Sequence, residues 1–415
     1  MVVLGVVSEY NPFHNGHQYL LEQAGETENF DAIICVMSGS FTQRGEAAIF
    51  NKWSRAEMAL RSGADLIIEL PFCFAVRSAY YFARGALQLL QRTGVVTHLA
   101  FGCENSHLPT LQGIADILSH EPEDFKTLLK KNLSNGLSFP LARSRALQNL
   151  PSLLNRDLQG TLLGPNNILA IEYLRVLQED NIHFQPIAIK RKGSHFHDTM
   201  VSSLPSATAI RQALTQNPDL SSLRTSLSPG SLEVIERELT SGRKSSGLES
   251  IEQAIIMKIR SMSVNELASI YEITDGLEYR IKEAANNAGT LDQLLAQIKS
   301  KRYNMTRICR SLLYILFSIN KSEIDLFDHF GPQYLHLLAF SAKGQKILQS
   351  MKIYSRLPIV NRASDMKRLC EENPESVLSQ MANLERRATD VYSLLYANPD
   401  QRKGSLDYTT SPIII

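Results

Sequence analysis

Through the first half of the chain, short apolar β-branched runs alternate with longer segments whose apolar positions recur every three to four residues. The runs at 2–7, 31–37, 64–70, 97–101 and 183–189 have strand length and strand composition. Between them, 52–62, 75–92 and 167–178 carry helical spacing. In the last of these, Leu169, Ile171, Tyr173, Leu174 and Leu177 supply most of the apolar surface. Strand and helix in alternation predict an α/β fold, a parallel sheet with crossover helices.

From about Ser246 the strand signals fade and helical spacing dominates, at 251–262, 263–271, 277–287, 291–298 and 303–319. The turn-forming stretches 227–231 and 241–247 lie between the two regimes. They divide the chain into a catalytic α/β domain over 1–245 and a mostly helical domain over 246–415. The segment 400–415 is partly polar and ends Pro-Ile-Ile-Ile, which leaves a disordered and a docked tail both open.

Composition narrows the class. A length of 415 residues suits two domains at roughly 100 to 200 residues each. Hydrophobic content of 44% with 20% charged residues describes a chain able to bury a core and excludes a disordered or collagenous one. Lys+Arg 43 against Asp+Glu 42 gives a net charge of +1, so any site for a polyanion must be local. The five cysteines are scattered with no C-x-x-C pair, which predicts a reducing compartment and no disulfide partner. The apolar N-terminus lacks a basic flank and fails as a signal peptide, and no run of 18 apolar residues occurs. A soluble, cytoplasmic protein with no membrane association is expected.

The chemistry concentrates at Gly5-Val-Val-Ser-Glu-Tyr-Asn-Pro-Phe-His-Asn-Gly-His17. A strand ends near Val7, and a helix opens at about His17. In a parallel sheet this places His14 and His17 at the carboxyl edge of the first strand, against a helix N-terminus, where phosphates bind. Gly16 allows close approach of the backbone, and two imidazoles can donate to a phosphorus centre gaining charge. Two histidines three apart also suit a solvated helix start, but the strand before and the helix after favour the phosphate site. Metal ligation is disfavoured because no third ligand follows at the required spacing. A second signal joins the cations Lys190, Arg191 and Lys192 to Ser206-Ala-Thr-Ala-Ile-Arg211, a hydroxyl-rich turn opening a helix. There Ser206 and Thr208 can cap the helix or meet a triphosphate, and Arg211 adds charge-assisted bonds. The stretch His195-Phe-His197-Asp198 reads as a loop beside the site rather than as a metal cluster. Cys103 and Trp53 read as packing residues.

His14-Asn-Gly-His17 with Ser206-Ala-Thr-Ala-Ile-Arg211 resembles the two-motif pattern of the nucleotidylyltransferase superfamily. Further segments extend the likeness: Ser8-Glu-Tyr-Asn-Pro-Phe-His-Asn-Gly-His17, Met37-Ser-Gly-Ser-Phe-Thr-Gln-Arg-Gly45, Ile68-Glu-Leu-Pro-Phe72, Phe101-Gly-Cys-Glu104, Gly164-Pro-Asn-Asn-Ile-Leu169 and Lys299-Ser-Lys-Arg-Tyr303. Together they resemble the tRNA(Met) cytidine acetate ligase family, over roughly residues 1–310. The resemblance implies a Rossmann-like sheet of the nucleotidylyltransferase type. It implies formation of acetyl-adenylate from acetate and ATP with release of pyrophosphate, then acetyl transfer to N4 of the wobble cytidine of elongator tRNA(Met). It also implies ATP contacts at Val7, Ser8, Glu9, Tyr10, Asn11, Pro12, Phe13, His14, Asn15, Gly16, His17, Gln18, Tyr19 and Leu20, and at Gly102, Asn166 and Arg191, with Asn167, adjacent to Asn166, left open as the alternative at that contact. One departure is visible: Asn51 stands before Lys52-Trp53 where the family pattern has Asp, which removes a carboxylate at that position.

His14 and His17 are the expected catalytic pair, with Mg²⁺ carried on the β and γ phosphates and no carboxylate cluster to hold it. Phe13 and Phe41 are candidates for the acetate pocket, and no general base for N4 is evident. For tRNA, the stretch 299–310 holds Lys299, Lys301, Arg302, Arg307 and Arg310 with no acid, which suits backbone phosphates but also a solvated helix flank. A small-molecule adenylyltransferase making a dinucleotide cofactor satisfies the two motifs equally well. A silent nucleotide- or RNA-binding module is disfavoured by the intact histidine pair.

Overall fold

The computed structural model describes residues 1–153, 158–192, 206–216 and 220–415. The stretch His195-Phe-His197-Asp198 lies outside these residues. Five parallel strands form the body of the sheet: β1 (Val3–Ser8), β2 (Ala32–Ser38), β3 (Leu66–Leu70), β4 (His98–Cys103) and β5 (Gln185–Lys190). All five fall on the predicted runs. The spatial order β5-β4-β1-β2-β3 reverses direction between β4 and β1, opening a crevice beyond the carboxyl ends of those two strands.

Both sheet faces are covered, as a parallel sheet requires. Alternate residues divide between two cores: Val3, Ile34, Val36, Leu66 and Ile68 pack on one face, and Leu4, Val6, Cys35, Met37 and Ile67 on the other. The expected helix over 75–92 is interrupted. A single turn, Phe72–Ala75, follows Pro71, and the helix proper is Ala79–Arg92. Arg77 in the break is buried and bonds Asp328 and the Cys73 carbonyl.

Residues after 246 are mostly helical, yet strands occur there that the sequence pattern did not announce. β6 (Leu335–Phe340) pairs antiparallel with β3, β7 (Ile359–Val360) extends the edge, and β8 (Ile413–Ile414) pairs with β6. The tail is therefore docked. β6 is short and wholly buried, so its apolar run lacks the alternation that marks a half-exposed strand. The apolar core on one sheet face runs on into the helices of this region, including Ile259, Leu313 and Leu384. No helix among the described residues is long and apolar enough to cross a membrane.

Candidate active site

At the end of β1 the chain turns beneath the sheet edge. Tyr10 takes a positive φ of 43°, Asn11-Pro12 is cis, and Tyr10, Asn11 and Phe13 are buried. The Asn11 side-chain oxygen accepts the Ile49 N–H at 2.8 Å, and the Tyr10 hydroxyl lies 3.2 Å from Cys35 Sγ. These three side chains therefore hold the loop from below. Helix α1 (Asn15–Thr27) follows, with His14 as its cap.

The histidine pair is a reciprocal capping box. His14 Nδ1 accepts the Gly16 N–H at 3.0 Å, and His17 Nδ1 accepts the His14 N–H at 3.2 Å. Their ring centroids are 3.9 Å apart. With Nδ1 an acceptor in each ring, the hydrogen sits on Nε2, so each imidazole retains one N–H donor for a ligand. A Cβ at Gly16 would lie 2.8 Å from His14 Cε1, so a larger residue there would have to displace the His14 ring. Burial pushes His14 down to about 3, with Arg191 and Arg211 adding to it. Burial likewise holds His17 well below its ordinary value, helped by His14 and Arg191. Both rings are thus neutral donors set between two guanidinium groups.

A small cleft at the reversal point is lined by Gly16, Tyr19, Leu20, Gly102, Ile189, Arg191 and Lys192. Two distant segments singled out in the sequence, 7–20 and the 102/191 pair, converge in it. A larger cavity of 470 Å³ lies beside β7 and contains none of the motif residues. On the helix Pro165–Glu179, Asn167 is fully buried and its Oδ1 accepts the Asn105 N–H, whereas Asn166 is half-buried and donates to Glu104. Asn166 is thus the more exposed of the two neighbours. Arg211 donates to the Asn11 carbonyl at 3.0 Å and to Thr208 Oγ1 at 3.3 Å, tying the second motif to the first. Ser206 is buried and caps its helix by accepting the Ala209 N–H. Val7 and Ser8 close β1, while Asn15 donates to the Thr225 carbonyl and Gln18 to Glu22. Cys103 is buried, and its thiol is pushed up to about 12 by that burial.

Helix α2 (Lys52–Leu60) supplies two residues that the sequence pattern did not mark. Its cap is Asn51, whose Oδ1 accepts the Ser54 N–H while Nδ2 donates to Glu238. The amide suits this place because an aspartate would face that carboxylate. Every residue of α2 is buried, and the cations Lys52 and Arg55 are both fully enclosed. Arg55 donates to the carbonyls of Phe50, Glu9, Ser38 and Gly39, so one guanidinium fixes the chain beyond β1 and beyond β2 together. Lys52 Nζ stands 2.5 Å from Asp407, 2.6 Å from Glu69 and 3.4 Å from Glu385, and His336 bonds the same Glu69 at 2.5 Å. Burial opposes the charge on Lys52, but Asp407, Glu69 and Glu385 together raise its pKa. Among the described residues, Glu69, His336 and Asp407 are the one set able to ligate a metal. The ammonium occupies its centre, so these residues do not fit a resident Mg²⁺.

The segment 38–47 after β2 forms a hairpin, with Phe41 bridged to Ala47 and the Thr42 N–H bonded to the Glu46 carbonyl at 2.9 Å. Phe41 packs among Phe72, Phe317 and Tyr392, Phe13 is likewise fully buried, and neither lines the cleft at the reversal point. At the tip, Gly45 has φ +81°, and a Cβ would lie 2.5 Å from the Arg310 backbone nitrogen. The hairpin thus abuts the helix Met305–Phe317. In the basic segment leading to that helix, Lys299, Lys301 and Arg302 are exposed. Arg307 donates to the Glu272 carbonyl and Thr274, and buried Arg310 makes a two-point ion pair with Glu272. Asp275 lies 3.3 Å from Arg302. A run without acids in sequence is therefore partly neutralised in space by the turn at 272–275.

A family model described as HIGH Nucleotidyl Transferase matches residues 1–407. A tRNA(Met) cytidine acetate ligase of Syntrophomonas wolfei is 56% identical, covering 100% of this chain and 99% of the relative. One of the same description from Halothermothrix orenii is 40% identical, with 98% of each chain covered. The crystal structure of Thermotoga maritima TmcAL in its apo form superposes with TM-score 0.94 at 36% identity over the full length of both chains. Its form bound to alpha-thio ATP superposes with TM-score 0.92.

Proposed function

This chain belongs to the tRNA(Met) cytidine acetate ligase family of the HIGH nucleotidyl transferases, and from that membership we propose that it activates acetate with ATP and acetylates N4 of the wobble cytidine of elongator tRNA(Met). The observation that carries the reading is the locked histidine pair, His14 and His17, capping α1 on either side of Gly16, which itself lines a cleft with Gly102 and Arg191. Acetate attacks the α-phosphorus in line and pyrophosphate departs. The two neutral imidazoles donate to the oxygens as charge builds on them. Arg191 and Arg211 supply positive field, and Asn166, Ser206 and Thr208 complete the polar frame. Magnesium carried by the nucleotide would offset part of the phosphate charge.

Residues 1–245 supply adenylation in this reading, and the helical segment after 246 presents the RNA. Lys299, Lys301 and Arg302 offer accessible charge to backbone phosphates, with Arg307 beside them; Arg310, already compensated by Glu272, acts through its backbone against the hairpin. A Lys301→Glu/Arg302→Glu variant is expected to bind tRNA more weakly and to lower the slope of log K against log salt by about two, roughly one per lost phosphate contact. An unchanged slope would remove this segment from the interface.

The test of function is incubation with ATP, labelled acetate and a tRNA(Met) transcript, reading pyrophosphate release and N4-acetylcytidine. Label in tRNA supports the ligase. Nucleotide transfer to a small-molecule acceptor without acetate would support the dinucleotide-forming alternative instead.

A further inference from the structure

Acetyl transfer removes a proton from an exocyclic amine, and the proposed reaction so far lacks a group to receive it. The histidines are unsuited: each Nδ1 already accepts a backbone N–H, each Nε2 carries hydrogen, and a second proton would create a buried imidazolium beside Arg191. The Tyr10 hydroxyl is engaged with Cys35. Glu9, one residue past β1, is differently placed. Its Oε1 accepts the Gln43 N–H at 2.6 Å and its backbone carbonyl is held by Arg55 at 2.5 Å. Its other oxygen has no hydrogen-bond partner among the described residues, and the side chain is half-buried.

The position matters as much as the carboxylate. The hairpin that grips Glu9 through Gln43 touches the backbone at Cys309 and Arg310 with its Gly45 tip. Glu9 therefore lies where the nucleotide loop meets the element leading to the proposed RNA surface. We infer that Glu9 is the general base of the transfer step, taking the N4 proton of the cytidine as the acetyl group changes hands. The role rests on the ligase reading given above. The N4 lone pair forms the new bond to the acetyl carbon, one N4 proton passes to the second Glu9 oxygen, and the carbon–oxygen bond to AMP breaks with its electron pair leaving on the phosphate. Glu9 then releases the proton to water.

Burial raises the Glu9 carboxyl above its ordinary value, which strengthens it as a base. The Gln43 N–H, Arg44 and Arg211 oppose that rise, Glu46 adds to it, and Tyr173 faces the group from the helix Pro165–Glu179. Transfer should accordingly lose rate as pH falls through the Glu9 pKa.

The test is Glu9→Gln, whose amide oxygen still accepts the Gln43 N–H, assayed in the full chain for acetate-dependent ATP–pyrophosphate exchange and, in single turnover with tRNA(Met), for N4-acetylcytidine. Transfer is expected to fall about 10²–10³-fold, at least tenfold more than exchange, with loss of its acid limb. Glu9→Asp keeps a carboxylate and should recover part of the lost transfer together with that limb. Equal loss in both steps, an acid limb that survives in Glu9→Gln, or no recovery in Glu9→Asp would overturn the assignment. Exchange present in the parent with transfer unchanged in Glu9→Gln would count against Glu9 alone; absence of acetate-dependent exchange in the parent would remove the ligase reading and this role with it.

Discussion

His17→Ala is expected to lower acetate-dependent ATP–pyrophosphate exchange about 10²–10³-fold, the usual cost of removing one transition-state donor. The substitution deletes two things. One is the Nε2–H donor offered to the phosphate oxygens; the other is the bond from the His14 N–H to His17 Nδ1, half of the capping box of α1. Loss of a cap costs about 1 kcal/mol, too little to unfold a chain of this size. His17→Gln separates the two contributions, because glutamine at this position of a capping box accepts the same N–H but cannot present the imidazole. Thermal stability should recover in the glutamine variant while exchange stays low. Near-normal exchange in either variant would mean that the pair does not act on phosphate.

Lys52→Met should produce the largest loss of stability of any single change in residues 1–245. Its ammonium is the cation facing Glu69, Asp407 and Glu385 in a fully enclosed cluster. Removing one partner of such a set typically costs about 3–5 kcal/mol, because the charges left behind are neither solvated nor compensated. Chemical denaturation at neutral pH reads this directly, and a change below about 1 kcal/mol would show that the carboxylates are already neutral. The pH dependence has a definite sign. Burial pushes the Asp407 carboxyl up, but Lys52 and His336 more than offset it and hold it below its ordinary value. In the parent, stability from this group is present above the unfolded pKa and lost as pH falls through the folded one. Burial already raises Glu69 and Glu385 in the parent, and without the ammonium the carboxyls rise further and bind protons in the folded state. The difference between variant and parent should therefore narrow in acid and widen as pH rises.

The strand–loop–helix passage at 3–20 was legible in the sequence because the signals that mark it are local: a β-branched run, a glycine packed against the His14 ring, and histidines that cap the helix they open. The five parallel strands were legible for the same reason. Lys52 and Arg55 were not, since the helix that carries them reads as amphipathic, and it took Glu69, Asp407, Glu385 and the carbonyls beyond β1 and β2 to turn its charged face inward. The segment 299–310 did not disclose its charge balance. It has no acids of its own, but Glu272 and Asp275 come from the preceding turn and take up part of its charge. Glu9 was named only as one member of a nucleotide loop, and its distinctive property, a carboxylate clamped on one oxygen, depends on a hairpin more than thirty residues away, at a separation of 34.

The docking of the last elements against the sheet bears on the order in which the molecule is made. Lys52 and Glu385 are 333 positions apart, Glu69 and His336 are 267 apart, and β6 and β8 lie far along the chain from the β3 edge they complete. Contacts of such long separation close slowly, and during vectorial synthesis they cannot close at all until the later segment has emerged. A nascent chain that has already formed β1 to β5 therefore still carries an open β3 edge and an ammonium without its full set of carboxylates. The five-stranded part of the sheet should remain a client of chaperones and proteases until Asp407 arrives, and a fragment ending near residue 245 should be more protease-sensitive than its share of the sheet suggests.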